Sequence, residues 1–205
     1  MNIEILISFV VAVFALAISP GPDNIFVLVQ SIRFGKKYAL AVVLGLMAGC
    51  LVHTSLVAFG VSLFIAKNEI LFTLLKFFGA AYLLYLAFKV YKSSDEIDFN
   101  TENIPAKPVT KLFRQGFMMN VLNPKVSLFF LALFPGFLFS ETLSETLQFF
   151  ILGGVFIAVS FLVFGSIAML AGSLKTYIER HPNSGAFLKW LQIVVFIGIA
   201  IFICI

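Results

Sequence analysis

The sequence predicts an all-α, polytopic membrane protein with six transmembrane helices, arranged as two inverted three-helix repeats within one domain, residues 1–205. Composition, the length of the apolar stretches and two proline interruptions in matching helices support this fold class. The residues are 61% hydrophobic and 12% charged, and the mean hydropathy is +1.07. A soluble globular surface does not tolerate such a balance. The apolar stretches are long enough to cross a hydrocarbon core of about 30 Å.

Charge and cysteine content exclude several classes of function. The net charge of +4 belongs to loops at a membrane surface, so we do not interpret it as a nucleic-acid footprint. Cys50 and Cys204 both fall in predicted spans. Two cysteines in apolar sequence indicate neither a disulfide framework nor a thiolate metal site. We therefore expect no metal and no cofactor.

The first repeat, residues 1–92, is predicted to hold three spans. Its first apolar run, residues 3–18, resembles a signal-peptide core, but Glu4 and the lack of a basic leader indicate a retained span. This span continues beyond an interruption to residue 32. The second span covers residues 38–66 and the third residues 70–91.

A cytoplasmic linker, residues 93–110, separates the repeats, because its acids, Asn and prolines cannot bury enough apolar area to order on their own. The second repeat, residues 111–205, again holds three spans. The fourth is predicted at residues 111–139, the fifth at 146–174 and the sixth at 185–205. The fourth is interrupted like the first.

Basic residues predict the orientation. The loops after the first, third and fifth spans contain eleven of the 14 Lys and Arg residues: Arg33, Lys36, Lys37, Lys89, Lys92, Lys107, Lys111, Arg114, Lys175, Arg180 and Lys189. The opposite loops contain only Lys67. The positive-inside rule therefore places both termini outside the cytoplasm.

The two interruptions are the main candidates for a functional site. They comprise Pro20, Gly21, Pro22, Asp23 and Asn24 in the first span, and Asn120, Asn123, Pro124 and Lys125 in the fourth. In the first, Gly21 is expected to cap a new helix that begins at Pro22, with Asp23 at its positive end. Aligning Pro22 with Pro124 also aligns Asp23 with Lys125. Paired interrupted helices in oppositely directed halves indicate a transporter site near the membrane midplane.

The cost of burying charge leaves two interpretations of Asp23 and Lys125. An ionised side chain at the bilayer centre costs about 2.5 to 3.5 kcal/mol on insertion scales. The pair could form a structural salt bridge between packed helices. Alternatively, Asp23 binds an ammonium group or a coupling proton, while Lys125 and helix N–H groups bind a carboxylate. An amino acid offers both complementary charges.

The Pro-Gly-Pro-Asp segment at 20–23, the Asn-Pro-Lys segment at 123–125 and the six-span length together resemble the LysE/RhtB amino acid exporters. This resemblance covers essentially the whole chain. It implies amino acid export across the bacterial inner membrane, driven by the proton gradient. The presence of an acid at Asp23 resembles the branch that exports homoserine, threonine and leucine, and this implies a neutral or weakly polar substrate. The expected mechanism is alternating access, with Asp23 as the coupling residue.

Other functions stay open as alternatives. A cation or heavy-metal exporter could share the architecture, although the spans lack clusters of carboxylate, His and Cys. A non-transporting accessory subunit would leave the two charged interruptions unexplained. We find no motif of a membrane-embedded enzyme. The expected partners are an amino acid, protons and membrane lipid, with a homodimer left open.

Several residues are expected to serve packing. Gly45 and Gly49 have the spacing for close helix contact in the second span, and Gly153 and Gly154 are interpreted in the same way in the fifth. His53 is interpreted as a hydrogen-bonded packing residue, with a proton relay as the alternative.

Overall fold

A computed structural model describes residues 2–61, 69–94, 107–181 and 183–204. These segments are helical and contain no strand. Their α-helices are α1 (Ile3–Ile18), α2 (Pro22–Phe34), α3 (Lys36–Leu56), α4 (Glu69–Tyr91), α5 (Val109–Val121), α6 (Pro124–Leu128), α7 (Glu145–Arg180) and α8 (Ser184–Cys204). A π-helical turn extends α3 over Val57–Val61. Another extends α6 over Phe129–Leu133 and is followed by a 3-10 turn, Phe134–Phe137.

Length and composition identify the helices that can cross a membrane. Among the described residues, three continuous helices qualify: Lys36–Gly60, Glu145–Ile178 and Ser184–Cys204. Two bent pairs also qualify, α1 with α2 at a 60° bend, and α5 with α6 and its extension at a 48° bend. The 23-residue helix α4 lies at the predicted third span. The predicted all-α, multi-pass membrane fold is confirmed, whereas the six-span inverted repeat stays a prediction.

Both predicted interruptions are present. Helix α1 ends at Ile18 and α2 begins at Pro22, so Pro20 lies in the break; α5 ends at Val121 and α6 begins at Pro124. Each proline is the first residue of its helix, where its missing N–H has no intrahelical partner to lose.

One predicted boundary was wrong. The fifth span was expected to end at residue 174, with Lys175 and Arg180 in a loop, but α7 continues through both to Arg180. Lys and Arg have high helix propensity, and their long side chains can reach water from a helix that leaves the membrane. Charge therefore marks where the apolar stretch ends and not where the helix ends. Similarly, α5 begins at Val109, inside the predicted linker.

A buried group of phenyl rings, here called the aromatic cluster, fills the end of the protein where α1 and α7 begin. It consists of Phe9, Phe129, Phe130, Phe134, Phe137, Phe149 and Phe156. Phe130 and Phe134 are stacked with ring centroids 4.2 Å apart, and Phe130 lies 4.7 Å from Phe156. These rings join α1, α7 and the extension of α6 through apolar contacts.

Glycines set a close contact between α3 and α5. Gly45 of α3 lies against the backbone of Phe113, and Gly116 of α5 lies against the backbone of Val42, with no room for a Cβ atom at either glycine. Gly49, one turn further along α3, packs directly on the side chain of Asn120. The predicted packing role of Gly45 and Gly49 is confirmed, and it fixes the position of Asn120.

Candidate functional site

The break between α1 and α2 is held by its own side chains. Gly21 is the N-cap of α2, as predicted, and Asp23 lies in the first helical turn. The Asn24 amide Nδ2 donates a 2.8 Å hydrogen bond to the carbonyl of Ala17, which belongs to the last turn of α1. Asn24 thus satisfies a carbonyl that the end of α1 leaves unpaired. Asp23 and Asn24 are both buried.

The break between α5 and α6 is organised by Asn123. This residue is the N-cap of α6, and its Oδ1 accepts a 3.0 Å hydrogen bond from the backbone N–H of Lys125. Its carbonyl accepts from the hydroxyl of Ser127 at 3.1 Å. Asn is among the best N-caps because its short side chain reaches the unpaired N–H groups of the first turn.

The two breaks contact each other. Asn123 Nδ2 donates a 2.7 Å hydrogen bond to Asp23 Oδ2, and Lys125 Nζ donates at 3.1 Å to the carbonyl of Ser19. Within the described residues, no N···O contact of 4.0 Å or less joins Asp23 to Lys125. The side chain of Asn123 connects them instead.

A cavity of about 180 Å³ lies at the meeting point of the breaks. Its walls include every residue predicted to bind substrate or couple transport, namely Gly21, Asp23, Asn24, Asn120, Asn123 and Lys125. Pro22 and Pro124 also line it, whereas Pro20 does not. The volume far exceeds the space that one water needs and suits a small solute.

Hydrogen-bonding capacity remains unused in this cavity. An ammonium group has three N–H donors, and Lys125 Nζ uses one of them on a described residue. Nζ also lies 5.7 Å from the ring centroid of Phe196. Asp23 accepts a side-chain hydrogen bond on Oδ2 only. A cation donor and a carboxylate oxygen are therefore both available to a bound molecule.

The rest of the wall is mainly apolar, with polar residues that sequence reasoning did not select. Its apolar members come from at least six helices and include Leu16, Met47, Leu86, Val126, Phe156, Phe164 and Phe196. The additional polar members are Cys50, Lys89, Ser160 and Gln192. Ser160 and Gln192 are isolated polar residues in apolar spans, a weak signal because such residues also serve helix packing.

His53 lies behind the cavity in a buried polar group. Its Nε2 is 3.2 Å from the carbonyl of Asn120, and its ring stacks on Phe130 with centroids 5.3 Å apart. The Asn120 amide contacts the Cys50 thiol, with Nδ2 and Sγ 3.5 Å apart. The prediction of a hydrogen-bonded packing histidine is confirmed. In the described segments, no three His, Cys, Asp or Glu side chains are grouped to hold a metal ion.

Comparison of the sequence with known proteins identifies a family. A family model described as LysE type translocator matches residues 14–205. An uncharacterized membrane protein of Vibrio cholerae is 28% identical over 183 residues, 89% of this chain and 88% of the relative. The homoserine/homoserine lactone efflux protein of Salmonella typhi is 32% identical over 174 residues, 85% of this chain and 84% of the relative.

A leucine efflux protein of Klebsiella pneumoniae is 27% identical over 195 residues, 95% of this chain and 92% of the relative. No solved structure is significantly similar to the chain. The family model covers nearly the whole sequence, including the residues of both breaks and the residues that line the cavity. The chain belongs to the LysE type translocator family.

Proposed function

We propose that this protein is a secondary-active exporter of neutral or weakly polar amino acids, which exchanges them for protons by alternating access. The observation that carries the proposal is the cavity in which Asp23 and Lys125 face one solute-sized space without pairing with each other. Burying two opposite charges that do not meet is costly. A zwitterionic solute would compensate both charges at once.

The arrangement fits the two ends of an amino acid. The unused N–H donors of Lys125 suit a carboxylate, since charge-assisted hydrogen bonds to an ammonium are short and strong. The Asp23 carboxylate suits the α-ammonium group. Relatives are named as efflux proteins for homoserine or homoserine lactone and for leucine, and these names support a substrate with an uncharged side chain.

The position of the cavity supports export. Its wall reaches Lys89 at the end of α4 and Gln192 in α8, the side that the positive-inside rule assigns to the cytoplasm. On the opposite side the aromatic cluster fills the space between α1, α7 and the extension of α6. A solute would thus enter from the cytoplasm and be blocked from leaving on the far side.

The helix contacts support alternating access between two inverted repeats, here residues 1–92 and 111–205. In such a pair α3 corresponds to α7 and α4 to α8, and each contacts its counterpart. The contacts of α1 and α2 with α7 have their equivalent in the contact of α5 with α3. Rocking of one repeat against the other would open the cavity to each side in turn.

The test is transport by purified protein in liposomes. Wild type is expected to accumulate labelled homoserine or leucine against a gradient when a pH difference is imposed. Asp23→Asn should keep exchange down a gradient but lose accumulation driven by the pH difference, because the amide cannot carry the proton. Glu141→Gln, an exposed carboxylate outside the cavity, is the matched control. Full proton-driven accumulation by Asp23→Asn would exclude Asp23 as the coupling residue.

A further inference from the structure

Ser160 is a buried residue in the cavity wall, and its hydroxyl has no partner among the described residues. The residue is 2% exposed, belongs to α7 and lies in the cavity wall. Its neighbours on this face are Phe156 and Phe164, one turn before and one turn after. Within the described segments, no hydrogen bond joins the Ser160 hydroxyl to another residue. A polar group in this position is expected to have a partner.

Other hydroxyls in the helices satisfy themselves locally. Thr54 donates to the carbonyl of Cys50 at 2.9 Å, and Thr176 donates to that of Gly172 at 3.0 Å, both four residues back. Ser127 does the same with Asn123. This bond to the preceding turn is the usual arrangement for Ser and Thr inside a helix. Ser160 does not make it, so its hydroxyl remains available to whatever fills the cavity.

We infer that Ser160 determines specificity by hydrogen-bonding the side-chain oxygen of the transported amino acid. The inference rests on the proposed function and narrows it to substrates with a short, hydroxylated side chain. The charged groups come from α2 and α6 and would hold the ammonium and carboxylate. Ser160 lies on a different wall, contributed by α7, between two phenyl rings. A substrate hydroxyl enclosed there without Ser160 would lose water and gain no partner.

Isosteric substrate pairs test this inference. Homoserine and norvaline differ by a hydroxyl in place of a methyl group, as do threonine and valine. Full-length protein in liposomes would exchange labelled homoserine against each unlabelled competitor. One neutral hydrogen bond predicts that wild type prefers the hydroxylated member about 2- to 12-fold. Ser160→Ala should abolish this preference while still exchanging norvaline, and this retained exchange shows that the variant is folded.

The control is Ser166→Ala, since Ser166 is on the same helix but exposed and outside the cavity. It should retain the wild-type preference. If Ser160→Ala changes both members of each pair equally, or neither, the inference is overturned while the proposed function stands. If wild type exchanges leucine but no amino acid of either pair, the inference alone is overturned. If it transports neither these amino acids nor leucine, the proposed function is overturned as well.

Discussion

Asp23 accepts a 2.7 Å hydrogen bond from Asn123, a residue 100 positions away in the chain. The Oδ1 atom of the same Asn123 amide accepts a hydrogen bond from the backbone N–H of Lys125. Both functions of the amide are thus used, and its orientation follows from its partners. Asn123 therefore does two things at once: it caps α6, and it holds the carboxylate of α2 at the second break.

Substitutions at Asn123 should separate these two roles. Asn123→Ser keeps a good N-cap but cannot reach Asp23, whereas Asn123→Ala removes both interactions. We expect both variants to lose transport, because the buried carboxylate loses a charge-assisted bond of about 1.5–3 kcal/mol. The alanine variant should be less stable than the serine variant by about 1 kcal/mol in thermal unfolding in detergent. Wild-type transport by Asn123→Ser would contradict a role for the connection between the breaks.

Lys125 should select for a free carboxylate. An amino acid amide keeps the ammonium group but removes the negative charge, so wild type should prefer the free acid about 10- to 100-fold in competition for exchange. Lys125→Met should lose most of this discrimination. Lys111→Met, at an exposed position on α5, is the control and should keep it. Equal discrimination by Lys125→Met and wild type would place the carboxylate elsewhere.

The adjacent glycines of α7 should respond differently to the same substitution. A Cβ at Gly153 would collide with the side chain of Thr54, a stiff residue that is already hydrogen-bonded, whereas Gly154 faces open space. Gly153→Ala should therefore destabilise by about 1–3 kcal/mol. Gly154→Ala should cost nothing. Thermal unfolding of the two variants in the same detergent measures the difference, and equal unfolding temperatures would contradict the close contact between α3 and α7.

The breaks could be predicted from the sequence because proline and glycine act locally. Pro22 and Pro124 cannot lie inside a helix without losing a backbone bond, so each one marks a helix start. Charge inside an apolar span is equally informative, since it is costly unless it has a purpose. These two rules located the interruptions, and the six site residues selected from them line one cavity.

The remainder of the site depends on the rotation of each helix about its axis. Ser160 and Gln192 line the cavity because of how α7 and α8 are rotated about their axes. Both helices are apolar on all sides, so the sequence does not indicate which side faces the cavity. The Asn123 link between Asp23 and Lys125 likewise depends on how two bent helices meet. The π-helical turn at Phe129–Leu133 has no marker in the sequence, because apolar residues there suit an α-helix equally well.

The aromatic cluster should act as a seal on the side away from Lys89. Phe130 is central to it, with its ring against Phe134, Phe156 and His53. Its position in a π-helical turn is also notable, since such turns occur frequently at functional sites. Replacing Phe130 by Ala would remove contacts to all three rings, so we expect it to open a path from the cavity to the predicted extracytoplasmic side.

A cysteine introduced at position 86, in the cavity wall, can show from which side of the membrane the cavity is accessible. Leu86 lines the cavity and is half-buried; the native Cys50 and Cys204 would be replaced by Ser. In that background, a membrane-impermeant thiol reagent should label Leu86→Cys in inside-out vesicles but not in right-side-out vesicles. Adding Phe130→Ala should permit labelling from both sides.

Labelling in inside-out vesicles controls for folding, because a collapsed variant would lose the cavity itself. Phe150→Ala, at an exposed phenylalanine of α7, is the matched substitution and should leave the outer side closed. Labelling of the Leu86→Cys background from both sides would show that the cluster does not seal the cavity. Labelling from the inside alone after Phe130→Ala would assign the seal to other residues. A cavity that is open to the cytoplasm and closed by these rings is supported by one result: labelling from the outer side that appears only when Phe130 is replaced.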